Sequence, residues 1–269
     1  MVAADHAVLR GWFLQARHHN GDAVILFHGV GDNRLGMVGY AELLLRNGYS
    51  VLMPDARAHG VSEGNLATYG LLEADDVRRW FEWVRFNGRP NCIYGLGESM
   101  GAAQLLQALT SEPGFCAVIA ESPFSSFREI AYDRMGQQFH AGPWVGRTLL
   151  WPVVEIALMD VRWKYHLNLK AVSPEDAIAK TPVPVMLIHG QVDNNIPIRH
   201  SRIMKARNAQ LVLWEVPNAD HCGAISTAPD EFVKRMLSWF ASHKGVPQAF
   251  TSSGSPPAAT SRATSSRHD

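Results

Sequence analysis

The sequence predicts an α/β protein built on a mostly parallel sheet with helices on both faces. Three observations carry this expectation. Short, continuously apolar runs recur along the chain, amphipathic stretches alternate with them, and polar or glycine-containing loops follow most of the runs. An unbroken apolar run is the pattern of a strand buried on both faces, whereas a sheet wet on one face alternates. Regular strand–helix alternation then calls for crossover connections, and so for parallel pairing.

Composition sets the outer limits. The 269 residues hold 25 Lys+Arg against 25 Asp+Glu, and 46% are hydrophobic. Such a length suits one large α/β domain with a sizeable core. Balanced charge gives no electrostatic reason to expect nucleic acid or an anionic membrane as partner. No apolar run reaches transmembrane length, and Met1 to His6 lack a signal-peptide pattern. Cytoplasmic location is the default expectation, which leaves room for a targeting or anchoring segment ahead of Met1. Cys92, Cys116 and Cys222 are odd in number without paired spacing, so they read as reduced thiols rather than a disulfide framework or zinc site. A bridge between Cys92 and Cys116, which both open predicted strands, is the alternative. No metal or cofactor is expected, and nothing in the sequence fixes the oligomeric state.

In chain order, Ala7–Leu14 reads as a strand, followed by a polar turn in which Asn20-Gly21 is a hairpin signal. Ala23–Phe27 is a buried strand ending in the glycine-rich turn His28-Gly29-Val30-Gly31. Tyr40–Arg46 reads as a helix stopped by Asn47-Gly48, and Ser50–Met53 as the next strand. Tyr69–Phe86 is amphipathic, with Val77, Trp80, Phe81 and Val84 on one stripe. Cys92–Tyr94 and Cys116–Ala120 are further strands. Between Phe124 and Val172 the alternation stops, and two or three helices carrying Phe139, Trp144, Trp151, Trp163 and Tyr165 are expected there. Ser173-Pro174-Glu175-Asp176 is a helix start with serine as N-cap. Strands at Pro184–Ile188 and Leu211–Val216, a helix from Ile196-Pro197 to Arg207 and a last helix from about Pro229 complete the core. Beyond Gly245 the chain is rich in Ser, Thr, Pro and Ala, too polar and biased to pack.

The chemistry centres on Gly97-x-Ser99-x-Gly101, which follows a strand and opens a helix. A strand turning sharply into a helix exposes the central hydroxyl above the sheet, and flanking glycines leave room where a Cβ would strike a neighbour. Asp193 and His221 each also follow a predicted strand, at the sheet edge where α/β proteins gather their sites. Their chain order, Ser then Asp then His, differs from the His–Asp–Ser and Asp–His–Ser orders of other hydroxyl–imidazole–carboxylate triads. Glu121 is the rival acid, since it too ends a strand. His28, His59 and His189 read as loop braces, and nothing sets a separate base against Cys222.

The elbow, the His28-Gly29 turn, Asp55-x-Arg57-x-His59-Gly60-x-Ser62-x-Gly64, His189-Gly190-x-x-Asp193 and the late His221 together resemble the α/β-hydrolase superfamily. The match runs roughly from Ala7 to His243 and is weakest at 124–172. There the short helical insert is similar to that of the serine-aminopeptidase-like and carboxylesterase-like branch. The resemblance implies an α/β-hydrolase fold with a core at 1–123 and 173–244 and a small helical cap at 124–172, and the composition makes 245–269 a disordered tail. It also implies Ser99 as nucleophile, His221 as base, Asp193 as its orienting acid, and the N–H groups of Val30 and Met100 as an oxyanion hole.

A small-molecule ester of short to medium acyl length is the expected substrate, cleaved through an acyl-enzyme. Phe124, Trp144, Trp151 and Ile196 are the candidate pocket residues. An aminopeptidase, with Glu129, Glu155 or Asp160 holding a substrate amine, or a thioesterase is the alternative. A catalytically inactive binding protein of this fold is the most distant one. Dehalogenase and epoxide hydrolase chemistry is disfavoured, because those relatives carry aspartate at the elbow.

Overall fold

The structure, a computed structural model, describes residues 1–112, 114–139 and 143–245. One seven-stranded sheet runs in the order β1-β3-β2-β4-β5-β6-β7. Its strands are β1 (Gly11–Leu14), β2 (Ala23–Phe27), β3 (Ser50–Pro54), β4 (Ile93–Glu98), β5 (Ala117–Glu121), β6 (Val185–Gly190) and β7 (Val212–Val216). Only β1 is antiparallel to its neighbour; all other pairs are parallel, as the apolar runs predict.

Successive side chains of a strand point to opposite faces, and the core divides accordingly. Ile25 and Phe27 join Val77, Trp80, Phe81 and Val84 of α2 (Glu73–Asn87) and Leu105 of α3 (Met100–Ala108) on one face. Val24 and Leu26 join Leu44 of α1 (Val38–Arg46) and Phe232, Met236 and Phe240 of the C-terminal helix (Pro229–Ser242) on the other. Phe240 also receives the Tyr94 hydroxyl on its carbonyl at 2.9 Å.

Local chemistry moves several boundaries. The first strand shortens to Gly11–Leu14 because Val8 pairs with Val2 and gives its N–H to Glu63. Asn20-Gly21 turns the chain without making a hairpin, since β3 lies between β1 and β2. Instead the Asn20 carboxamide accepts the Asp22 N–H at 2.9 Å while Gly21 takes φ +93°. The helix expected from Tyr69 begins at Glu73, whose carboxylate collects the N–H groups of Thr68 and Gly70 and the Thr68 hydroxyl. At Ser173 the expected cap inverts: its hydroxyl donates to Asp176 at 2.6 Å instead of accepting a backbone N–H, and the helix Pro174–Ala177 is one turn long.

The cysteine expectation is corrected. Cys92 and Cys116 form a disulfide, with Cα atoms 5.8 Å apart. Both lie at the entrance of adjacent parallel strands, and the Cys116 N–H donates to the Ile93 carbonyl, so the register brings the two thiols together. Gly245 follows them, its N–H on Cys92 Sγ at 3.0 Å. The rest of the expected tail, 246–269, lies outside the described residues.

Between β5 and β6 run α4 (Phe127–Gln138), α5 (Pro143–Thr148) and α6 (Trp151–Tyr165), with no strand among the described residues of this stretch. The Ser126 hydroxyl caps α4. Buried Asp133 anchors that helix on the core, accepting from Arg199 at 2.6 Å and His200 Nε2 at 2.8 Å. Among the described residues, no helix is long and apolar enough to cross a membrane.

Candidate active site

Ser99 stands alone between the end of β4 and the start of α3, at φ 51° and ψ −112°. Such a conformation is strained for a residue with a Cβ, and the flanking glycines make room for it. A Cβ on Gly101 would stand 2.3 Å from the Phe27 carbonyl oxygen, and one on Gly97 would stand 2.7 Å from the Ala102 nitrogen. The spacing of the motif is therefore a steric requirement of the turn. The Ser99 N–H donates to the Glu121 carbonyl at 2.9 Å, which ties the turn to β5.

A third glycine brings the other two loops together. A Cβ on Gly190 would lie 2.2 Å from the Ala219 carbonyl oxygen. The chain leaving β6 thus touches, backbone to backbone, the chain leaving β7. This contact sets Asp193 beside His221. The His221 Nδ1 lies 2.9 Å from Asp193 Oδ2, and its Nε2 lies 3.0 Å from Ser99 Oγ.

Asp193 is fixed on its other side. Its Oδ1 accepts the N–H groups of Asn195 at 2.9 Å and Ile196 at 2.8 Å. Burial acts to raise its pKa, but hydrogen bonds from His189 and His221 outweigh burial and hold the carboxyl well below the ordinary carboxylate range. An ionised carboxylate only accepts, so Nδ1 of His221 carries the proton and Nε2 is left to accept the serine hydroxyl. Such a relay can draw a proton from Ser99 as its oxygen attacks an electrophile.

The rival groups sit elsewhere. Glu121 pairs in register with Glu98, and both carboxylates meet the Tyr40 hydroxyl, at 3.4 and 2.5 Å respectively. Its Oε1 accepts the Ala224 N–H at 2.9 Å. Burial, then the neighbouring Glu98 charge, pushes its pKa up to about 8. Asp220 accepts the N–H groups of Asn194 and His221. His28 accepts the Ala56 N–H and donates to the Gly29 carbonyl. His59 donates to the Arg57 carbonyl. His189 bridges the Ser201 hydroxyl and the Ile196 carbonyl, bracing the Asp193 loop. Burial, then nearby carboxylates, pushes the Cys222 thiol far above its ordinary value, so it supplies no thiolate at neutral pH.

Ser99 opens onto a cavity of about 440 Å³. Met100, Val30, Phe124 and Ile196 line it, as do Ile130 and Ala131 of α4 and Val154 and Leu158 of α6. Trp144 and Trp151, the other two candidate pocket residues, do not. They are 62% and 50% exposed, on faces of α5 and α6 turned away from the cavity. Aromatic content alone carries no information about which side of a short helix faces inward. The smaller Val154 and Leu158 provide that wall, and their i, i+4 spacing is the signal that could have found them.

The comparisons with known proteins agree with this architecture. The model of the alpha/beta hydrolase family matches residues 24–235. YqkD of Bacillus subtilis, itself uncharacterized, is 30% identical over 210 residues, which cover 77% of this chain and 67% of that protein. YfhR of Escherichia coli K12, also uncharacterized, is 28% identical over 235 residues, covering 84% and 73%. Among solved structures, the esterase Pf2001 of Pyrococcus furiosus superposes with a TM-score of 0.71 at 24% identity over 91% of each chain, a likeness of fold. With the family model spanning most of its length and the sheet, elbow and loop order matching the fold, the chain belongs to the alpha/beta hydrolase family.

Proposed function

We propose that the protein is a serine esterase that cleaves short to medium carboxylic esters through an acyl-enzyme. The observation that carries this is the relay Ser99–His221–Asp193, at 3.0 and 2.9 Å, standing at the wall of an apolar cavity. Ser99 Oγ attacks the ester carbonyl carbon while its proton passes to His221 Nε2. The imidazolium, stabilised by ionised Asp193, returns that proton to the departing alkoxide. Water then attacks the acyl-enzyme by the same route, releases the acid and restores the serine. Met100, the first residue of α3, has an N–H without an intrahelical acceptor. With the Val30 N–H it would receive the oxyanion, and losing such a donor costs about 3–4 kcal/mol of barrier.

Residues 124–172 serve in this account as a cap over a core formed by 1–123 and 173–244. Its carboxylates argue against an aminopeptidase, which needs one free to hold the substrate amine. Glu129 is paired with Arg199 and Arg147, Glu155 with Arg128 and Lys170, and Asp160 with Lys164. None of the three lines the cavity. The test is hydrolysis of p-nitrophenyl esters from acetate to palmitate beside aminoacyl nitroanilides. Turnover of short esters without turnover of the anilides supports an esterase, and the reverse order contradicts it.

A further inference from the structure

Among the described residues, the cavity wall carries one charged side chain, and it is a cation. Of the residues lining the space in front of Ser99, all are apolar or neutral except Arg134. Arg134 is exposed at the mouth of this space, so water solvates its guanidinium and no carboxylate partner is required. Arg134 has only neutral ones among the described residues: the Gln137 carboxamide oxygen at 3.0 Å and the Asn195 carboxamide oxygen. The cations around it are satisfied differently. Arg128, Arg147, Arg199 and Lys170 each pair with Glu129, Asp133 or Glu155. Arg134 alone of this group lines the cavity, and it has no carboxylate partner among the described residues.

Its position is built into the fold. Asp133, the preceding residue of α4, is locked to Arg199 and His200, which fixes the rotation of the helix. Ile130 and Ala131, one turn earlier, lie on the same cavity wall as Arg134. The Asn195 contact brings the guanidinium to the loop whose N–H groups hold Asp193. Arg134 therefore sits at the rim of an apolar chamber, against the loop that carries the relay's acid.

We propose that Arg134 is a specificity determinant that binds an anionic group, a carboxylate or phosphate, carried by the substrate in addition to its ester. The preferred substrate class is then an amphiphilic ester, with an apolar portion in the chamber and an anionic oxygen on Arg134. The guanidinium offers a planar fork of donors matched to such oxygens, and its two neutral amide partners are exchangeable for them. This inference rests on the esterase reading of the same site.

The test uses pairs of esters alike in size but differing in charge. Phenyl pentanoate is compared with monophenyl glutarate, which places a carboxylate on the acyl side. Phenyl butyrate is compared with 4-carboxyphenyl butyrate, which places it on the alcohol side, and with 4-phosphonooxyphenyl butyrate for a phosphate. The quantity read is the ratio of kcat/KM for the anionic and the neutral member, in the wild type and in Arg134→Met. Taking the ratio in both proteins cancels differences in leaving-group reactivity and any general loss from the substitution. The expected result is a fall of about threefold or more in that ratio for at least one pair, as for loss of an ion pair at an exposed site. Arg134→Lys should restore part of it, since a point charge replaces the fork. An unchanged ratio in every pair overturns the proposal while leaving the esterase reading intact. Failure of the wild type to hydrolyse any of these esters overturns both.

Discussion

His221 turns its Nδ1 to Asp193 at 2.9 Å, and Glu121 bonds instead to the Ala224 N–H and the Tyr40 hydroxyl. Glu121 ends β5 and Asp193 lies in the loop after β6, and only Asp193 meets the imidazole. Asp193→Asn should cost about 10⁴ in turnover, because the amide favours the wrong histidine tautomer. Glu121→Gln should leave turnover within a few-fold of the wild type, since an amide oxygen can still accept the Ala224 N–H. Steady-state kinetics on a short p-nitrophenyl ester decides it, and a reversed order of the two losses would contradict the assignment.

Glu121 has its own signature in stability. Burial, followed by the charge of Glu98, pushes its carboxyl up to about 8, against an ordinary value of 4.5. An acid with a raised pKa keeps its proton longer in the folded state. Its contribution is complete below the unfolded pKa and is lost as pH rises through the folded one. Glu98, raised first by burial, acts in the same sense. Asp193, lowered, acts oppositely, but its contribution is lost only on the acid side of the ordinary carboxylate range. Buried His28 and His200, both lowered first by burial, act in the opposite sense but alike in both proteins. Urea denaturation should therefore show the stability of the wild type relative to Glu121→Gln falling from about pH 5 to about pH 8.5. A tenfold difference in proton affinity between the folded and unfolded chain is worth about 1.4 kcal/mol. Parallel pH profiles would mean that Glu121 is ionised in the fold.

The cavity predicts an optimum in chain length. Each buried methylene contributes about 0.8 kcal/mol, or about fourfold in kcat/KM, until the wall of α4 and α6 is reached. Ala131→Leu adds bulk on that wall and should move the optimum to a shorter acyl chain. Trp144→Ala removes a side chain that stands outside the cavity and should leave the optimum where it is. The check is a p-nitrophenyl ester series from acetate to palmitate for all three proteins. An optimum displaced by Trp144→Ala and not by Ala131→Leu would reverse the picture.

The Cys92–Cys116 bridge is open to direct counting. Denatured without reductant, the chain should show one reactive thiol, Cys222, and after reduction three. Three thiols before reduction would rule the bridge out.

What could be read from the sequence follows the range of the interactions involved. The apolar runs give the strands because burial on two faces leaves no room for a polar residue, and β2 falls at the expected Ala23–Phe27. Gly97, Gly101 and Gly190 were legible because a backbone contact within 3 Å tolerates no other residue. The missed features depend on partners distant in the chain. Nothing local to Asn20-Gly21 says that β3 will intervene between the strands on either side. Trp144 and Trp151 look like pocket residues until the rotation of α5 and α6 is known. Arg134 resembles its paired neighbours in sequence, and differs only in that the carboxylates nearby are taken by other cations.

The most direct test is the reaction of Ser99 itself. The wild type and Ser99→Ala, each shown to be folded by circular dichroism, are treated with a fluorophosphonate and assayed on p-nitrophenyl butyrate. The methyl group keeps the shape of the turn and removes the attacking oxygen, and loss of the nucleophile in a comparable triad costs about 10⁶ in turnover. The expected result is a single labelled peptide containing Ser99 in the wild type, with no label and only background hydrolysis in the variant. A folded Ser99→Ala protein that keeps more than a few per cent of the activity, or still takes the label, would contradict the account.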